Sequence, residues 1–195
     1  MKVRILFLIC FLSITCLLNA ADKPVIQIHT DNSSLIFRVA DNGRLYQSYL
    51  GKKLNHEADI SHLPQGTEAY ITHGMEDYFE PAIHILHNDG NPSLLLKYVS
   101  HETKAVSQGV NETIITLGDD KYPVTVKLHY VTYPAEDIIK TYTEISHKEK
   151  KPVVLHQYAS SMLHLNRAKY YLTEFSGDWA HEANISDQPL EFGKK

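Results

Sequence analysis

The sequence predicts an all-β fold, a large antiparallel β-sandwich (a supersandwich) behind an N-terminal signal peptide. Three observations carry the prediction. From Val25 onward apolar residues alternate with period two, with little helical spacing. The alternating runs are punctuated at short intervals by Gly, Pro, Asn and Asp. The 195 residues are 43% hydrophobic and 22% charged, which argues against a disordered, collagen-like or multi-span membrane chain. A net charge of −4 gives no basic footprint, so nucleic acid is excluded as a partner.

The N-terminus comes first in the chain. Lys2 and Arg4 precede Ile5–Leu18, a run broken only by small polar residues such as Ser13 and Thr15, and Asn19-Ala20-Ala21 follows. This is the layout of a secretory signal peptide over residues 1–20, with cleavage expected after Ala20. The run is too short to cross a bilayer comfortably, so no membrane anchor is expected and the protein is expected to be secreted or periplasmic. Both cysteines, Cys10 and Cys16, leave with the signal. The mature domain, 21–195, then has no disulfide and no thiolate nucleophile, and burial must supply its stability.

Leu35–Val39, Ala40-Asp41-Asn42-Gly43 and Arg44–Leu50 read as a hairpin whose Asn42-Gly43 pair suits a tight primed turn. A second hairpin is expected from Ala82–His87 through Asn88-Asp89-Gly90 into Ser93–His101. Glu112–Leu117 is a strand. In Tyr122–Tyr133 the residues Tyr122, Val124, Val126, Leu128 and Tyr130 share one face, and Thr125, Lys127 and His129 share the face expected to meet water. Ile138–Ser146 and Val153–Leu165 follow, joined by the charged run 147–152, read as a solvated hairpin tip. Tyr170–Phe175 is the last strand expected, giving nine or ten in all. Asn55–Met75 has few strand signals, and a stretch of that length is often functional.

Motifs for chemistry are sparse. Twelve histidines invite a metal, but there is no HExxH, and His84 and His87, three apart on a strand, point to opposite faces. No GxSxG elbow or glycine-rich phosphate loop is present. The carboxylate pairs Asp119-Asp120 and Glu136-Asp137 fall at turns, where solvation keeps both groups ionised and neither makes a good acid. Glu76-Asp77-Tyr78-Phe79-Glu80-Pro81 mixes acid with aromatic side chains, as sugar-contacting surfaces do; equally, Asp77 could cap the entry to a strand. Trp179, the single tryptophan, lies beside Gly177, Asp178 and Glu182 and suits either a sugar platform or an anchor for the end of the sandwich.

Several segments then fall into a familiar order: Gly43-Arg44-Leu45 through Tyr49-Leu50-Gly51-Lys52; Gly74-Met75-Glu76-Asp77-Tyr78-Phe79-Glu80-Pro81-Ala82; Leu96-Lys97-Tyr98-Val99-Ser100-His101; Leu128–Tyr133 followed by Asp137-Ile138-Ile139; and Ala159–Leu165 followed by Ser176-Gly177-Asp178-Trp179-Ala180-His181-Glu182. This ordered set resembles the N-terminal domain of glycoside hydrolase family 36, the α-galactosidases or melibiases, over about residues 30–193. Leu50 stands where the family usually has an aromatic residue, and Phe79 and His181 stand where it often has Arg. The stretch between Lys53 and Gly74 is shorter than in many members.

The resemblance implies a sandwich that precedes a (β/α)8 barrel and is incomplete here at its C-terminal end. It implies a retaining enzyme whose nucleophile and acid/base are two Asp residues on barrel strands. No position in this sequence matches them, so no catalytic residue is named and the segment is expected to be inactive alone. The implied partners are the chain's own C-terminal catalytic barrel, α-galactoside oligosaccharides in the full enzyme, and further copies in a homo-oligomer. No cofactor or metal is implied. Asp77, Tyr78 and Trp179 are the substrate-proximal candidates. The alternative is a stand-alone carbohydrate-binding module, for which abundant Tyr on sheet faces would supply stacking surfaces.

Overall fold

The computed structural model describes residues 23–74, 80–165 and 170–190. The signal segment 1–20 lies outside them. Among the described residues there are twelve strands and one short helix: β1 (Val25–His29), β2 (Ser33–Val39), β3 (Leu45–Lys52), α1 (Glu57–Ser61), β4 (Thr67–Glu68), β5 (Ile83–Leu86), β6 (Leu96–Ser107), β7 (Val110–Asp119), β8 (Val124–Tyr133), β9 (Ile138–His147), β10 (Val154–Tyr158), β11 (Tyr171–Asp178) and β12 (His181–Pro189). They form two four-stranded sheets, β1-β2-β3-β4 and β6-β7-β8-β9, and two two-stranded sheets, β10-β5 and β11-β12. Every strand pair is antiparallel.

Period two builds the core. Ile26 and Ile28 of β1, Leu35 and Phe37 of β2, Ile115 and Leu117 of β7, and Val124, Val126, Leu128 and Tyr130 of β8 belong to one buried cluster. Phe37 and Tyr130 meet with ring centroids 5.1 Å apart, which joins the two four-stranded sheets. Ile83 and Ile85 bring β5 into the same cluster. Such a mostly-strand, multi-sheet domain agrees with the fold class expected from the alternation.

Several expectations need correcting. The β2–β3 turn is not primed: Gly43 alone among its residues has positive φ (78°). Asn42 instead accepts the Arg44 N–H on its Oδ1 (3.0 Å), and Gly43 N–H bonds Ala40 O (2.9 Å). This is a three-residue loop closed by a left-handed glycine. The strands expected as a second hairpin both exist, but β5 pairs with β10 and β6 with β7. Pro92, which lacks an N–H, falls in the connection that carries the chain to the other sheet. Run 147–152 likewise joins two sheets and is not a solvated hairpin tip. Its Glu149 is buried, binding His87 Nδ1 (2.7 Å) and Asn88 N–H (3.1 Å). Burial pushes the Glu149 carboxyl up, but the His87 and Asn88 bonds outweigh it and hold the group below its usual range.

His129, expected to face water, is buried. The strand expected over Val153–Leu165 ends at Tyr158. Strand β12 was not expected at all, because Asn, Asp and Pro depress its propensity; cross-strand pairing with β11 makes it a strand. Asn55–Met75 is less loop-like than its composition. It holds α1 and β4, and Ala69, Tyr70, Ile71 and Thr72 are all buried.

Candidate functional site

Asp77 and Tyr78, with the rest of Met75–Phe79, lie outside the described residues. The two flanks of that segment are firmly tied. His73 N–H donates to Ile83 O (3.0 Å), Ala82 N–H to Ile71 O (2.8 Å), and Thr72 bridges Ile83 in parallel. From β10, Gln157 Nε2 donates to Glu80 Oε1 (3.1 Å) and Pro81 O (2.8 Å). The ends of the acidic-aromatic segment are thus bolted to β5 and β10.

Trp179 occupies the tip of the β11–β12 ribbon and is 92% exposed. The tip is shaped by a bulge between Ser176 and Asp178 and by positive φ at Ala180 and Ala183. Asp178 Oδ1 accepts the Trp179 N–H (2.6 Å). Trp179, Phe175, Asp178 and Glu182 line a shallow depression of ≈ 640 Å³. Aromatic faces beside carboxylate acceptors can stack on a pyranose and bind its hydroxyls. No strand other than β11 and β12 pairs with this ribbon among the described residues.

A polar cluster built on the buried Glu112 and His129 lies on the other face of the β6–β9 sheet. Glu112 on β7 accepts from Tyr142 OH on β9 (2.6 Å), meets His129 Nδ1 on β8 (2.9 Å), and pairs with Lys104 Nζ on β6 (3.0 Å). His129 and Tyr142 stack with centroids 4.3 Å apart. The Tyr142 bond first, then those from His129 and Lys104, lower the Glu112 carboxyl to about 2. Because the folded state holds this group ionised, its contribution is complete above about pH 4.5 and is lost as pH falls toward 2. Glu112→Gln is expected to cost about 1.5–3 kcal/mol at pH 7 and to flatten the acid limb between pH 4.5 and 2. Urea unfolding at a series of pH values checks both effects.

The space lined by His129 and Tyr142 holds ≈ 10 Å³, too small for a sugar, and the cluster ties four strands together. It is therefore a structural pin. Among the described residues no group of three or more His, Cys, Asp and Glu is arranged to hold a metal ion.

The family model for the glycosyl hydrolase family 36 N-terminal domain matches residues 42–195. The chain belongs to this family. Two α-galactosidases, the probable α-galactosidase G of Aspergillus terreus and α-galactosidase C of Emericella nidulans, are each 25% identical to it over 133 residues, 62% of this chain and 18% of theirs. The family 36 fold also appears in solved structures. The α-galactosidase from Lactobacillus brevis gives a TM-score of 0.74 at 21% identity, and the GH36 α-galactosidase AgaA from Geobacillus stearothermophilus 0.77 at 19%. Each superposition covers 87% of this chain and 28% of that one. The chain thus spans under a third of the family 36 relatives it matches, as expected of the accessory domain of a larger enzyme.

Spacing along the sequence pairs His84 with His87 and leaves two groupings hidden. Glu112, His129 and Tyr142 sit on three successive strands of one sheet, and their registers, Ile114↔His129 and His129↔Tyr142, place them together. His73, His84 and His156 stack in a row across β5 and its neighbours. Strand pairing was the missing signal, since no spacing within one segment encodes it.

Proposed function

We propose that this chain is the exported N-terminal, non-catalytic sandwich of a retaining α-galactosidase acting on terminal α-galactosides. In this reading it packs against a C-terminal barrel, contributes oligomer contacts, and places Asp77, Tyr78 and Trp179 on the substrate side. The observation that carries it is the family match over residues 42–195 to relatives of which it spans 18–28%. In this reading the nucleophile and the acid/base of the retaining reaction are Asp residues of the barrel, and the sandwich orients, walls off and contacts the sugar. The purified 195-residue chain is expected to show no turnover of an aryl α-galactoside. Robust turnover that persists through repurification and responds to mutation would overturn the reading.

The exposed Trp179–Phe175 tip favours a second reading, a stand-alone carbohydrate-binding module. Calorimetry with galactose, melibiose and raffinose separates the two. Micromolar binding lost in Trp179→Ala supports the module, and no binding supports the scaffold.

A further inference from the structure

Three imidazoles line up across neighbouring strands at the edge of the β5–β10 sheet. His84 lies on β5, His156 on β10, and His73 on the turn that joins β5 through the Thr72–Ile83 bridge. The His73 and His84 rings stack with centroids 3.8 Å apart and planes 22° apart. The His84 and His156 rings follow at 4.8 Å and 37°. Backbone geometry builds this ladder. His73 N–H is held by Ile83 O (3.0 Å), one residue from His84. On the other side Leu155 faces Ile85 and Gln157 faces His84, so His156 is the extra residue of a β-bulge. A bulge re-aims the side chain it carries, here onto His84.

Among the described residues, burial first, then His73 and His156, hold the His84 ring below its ordinary range. From β10, neutral Gln157 pairs with His84 in register, and its amide donates to the Glu80 carboxylate of the preceding segment.

We propose that the His73–His84–His156 ladder is an acid-sensitive latch: its stacked rings hold β10 against β5, and protonation of the central His84 ring releases β10. A charge on His84, half-buried and stacked between two imidazoles, is disfavoured, so the strand pair opens to hydrate it. Strand β10 is the element most easily released. It is five residues long, among the described residues pairs with β5 alone, and four of its residues are exposed. The sign follows from the lowered His84 value. The released state takes up protons first as pH falls, so the latch is closed above about pH 6.5 and weakens below it. This inference does not depend on the α-galactosidase reading.

Hydrogen–deuterium exchange on the full-length protein at pH 7.5 and 5.0, corrected for intrinsic rates, tests it. Protection of peptides covering β5 and β10 is expected to fall about tenfold at the lower pH, with little change in β7 and β8. His84→Gln is expected to remove most of that difference. If His84→Gln does not fold, His156→Gln at the exposed bulge serves in its place. Equal wild-type protection at both pH values, or an unchanged pH dependence in the folded variant, overturns the latch.

Discussion

Alanine at Gly66 is expected to cost about 3 kcal/mol or more, enough to deplete the folded population of a domain whose whole stability is on the order of 5–15 kcal/mol. Gly66 has φ of 82°, and a Cβ there would lie 1.9 Å from Gln47 O, 2.8 Å from Gln47 C and 2.9 Å from Ser48 Cα. All three atoms are backbone, so no side-chain rotation relieves the clash. The strand that must move is β3, central in its sheet between β2 and β4. Gln47 also holds the distant His164 through its side chain, donating to His164 O (2.8 Å) and accepting from its N–H (3.2 Å). Gly109→Ala is the matching control. It has a similar φ of 75° but nothing within 4 Å, so it carries only the left-handed penalty of about 1–2 kcal/mol. Urea midpoints for the two variants separate steric exclusion from backbone preference. Equal losses would show that β3 yields to the added methyl.

Period-two alternation located β2, β3, β7, β8 and β9, because burial of one face writes itself into the residues of a single strand. Pairing between strands leaves no such mark. Ala82–His87 and the strand after it read as neighbours because a turn separates them, yet β5 pairs with a strand about seventy residues on. Strand β12 and the buried stretch 69–72 were missed for a related reason. Their residues are ordinary, and their neighbours alone make them strand and core. The same limit governed the site. Trp179 was legible as an aromatic near carboxylates in sequence, and it stands at the exposed ribbon tip with Asp178 and Glu182. Asp77 and Tyr78 remain candidates carried by the motif around them. The Glu112 cluster and the histidine ladder, which needed strand register, were not legible.

Arg44→Ala is the second change expected to be severe, at about 3–5 kcal/mol. Arg44 follows the β2–β3 turn, and its Nε donates to Glu68 Oε1 (2.8 Å) while an Nη donates to the other carboxylate oxygen. Both side chains are 7% exposed, so truncating Arg44 removes a forked partner from a carboxylate held away from water. Strand β4 is two residues long and is paired to β3 through Tyr46↔Glu68 and Gln47↔Thr67. So short a strand cannot hold its place by ladder bonds alone. The forked ion pair, with His164 Nε2 donating to Glu68 O (2.7 Å), fixes it. That in turn seats Ala69–Thr72 in the core and sets the Thr72–Ile83 bridge that positions β5. Arg44→Lys is expected to recover only part of the loss, because an ammonium cannot fork across both oxygens. Urea unfolding at constant slope measures both variants. A loss below about 1 kcal/mol in Arg44→Ala would mean that water reaches Glu68 in solution and that packing, not the ion pair, holds β4.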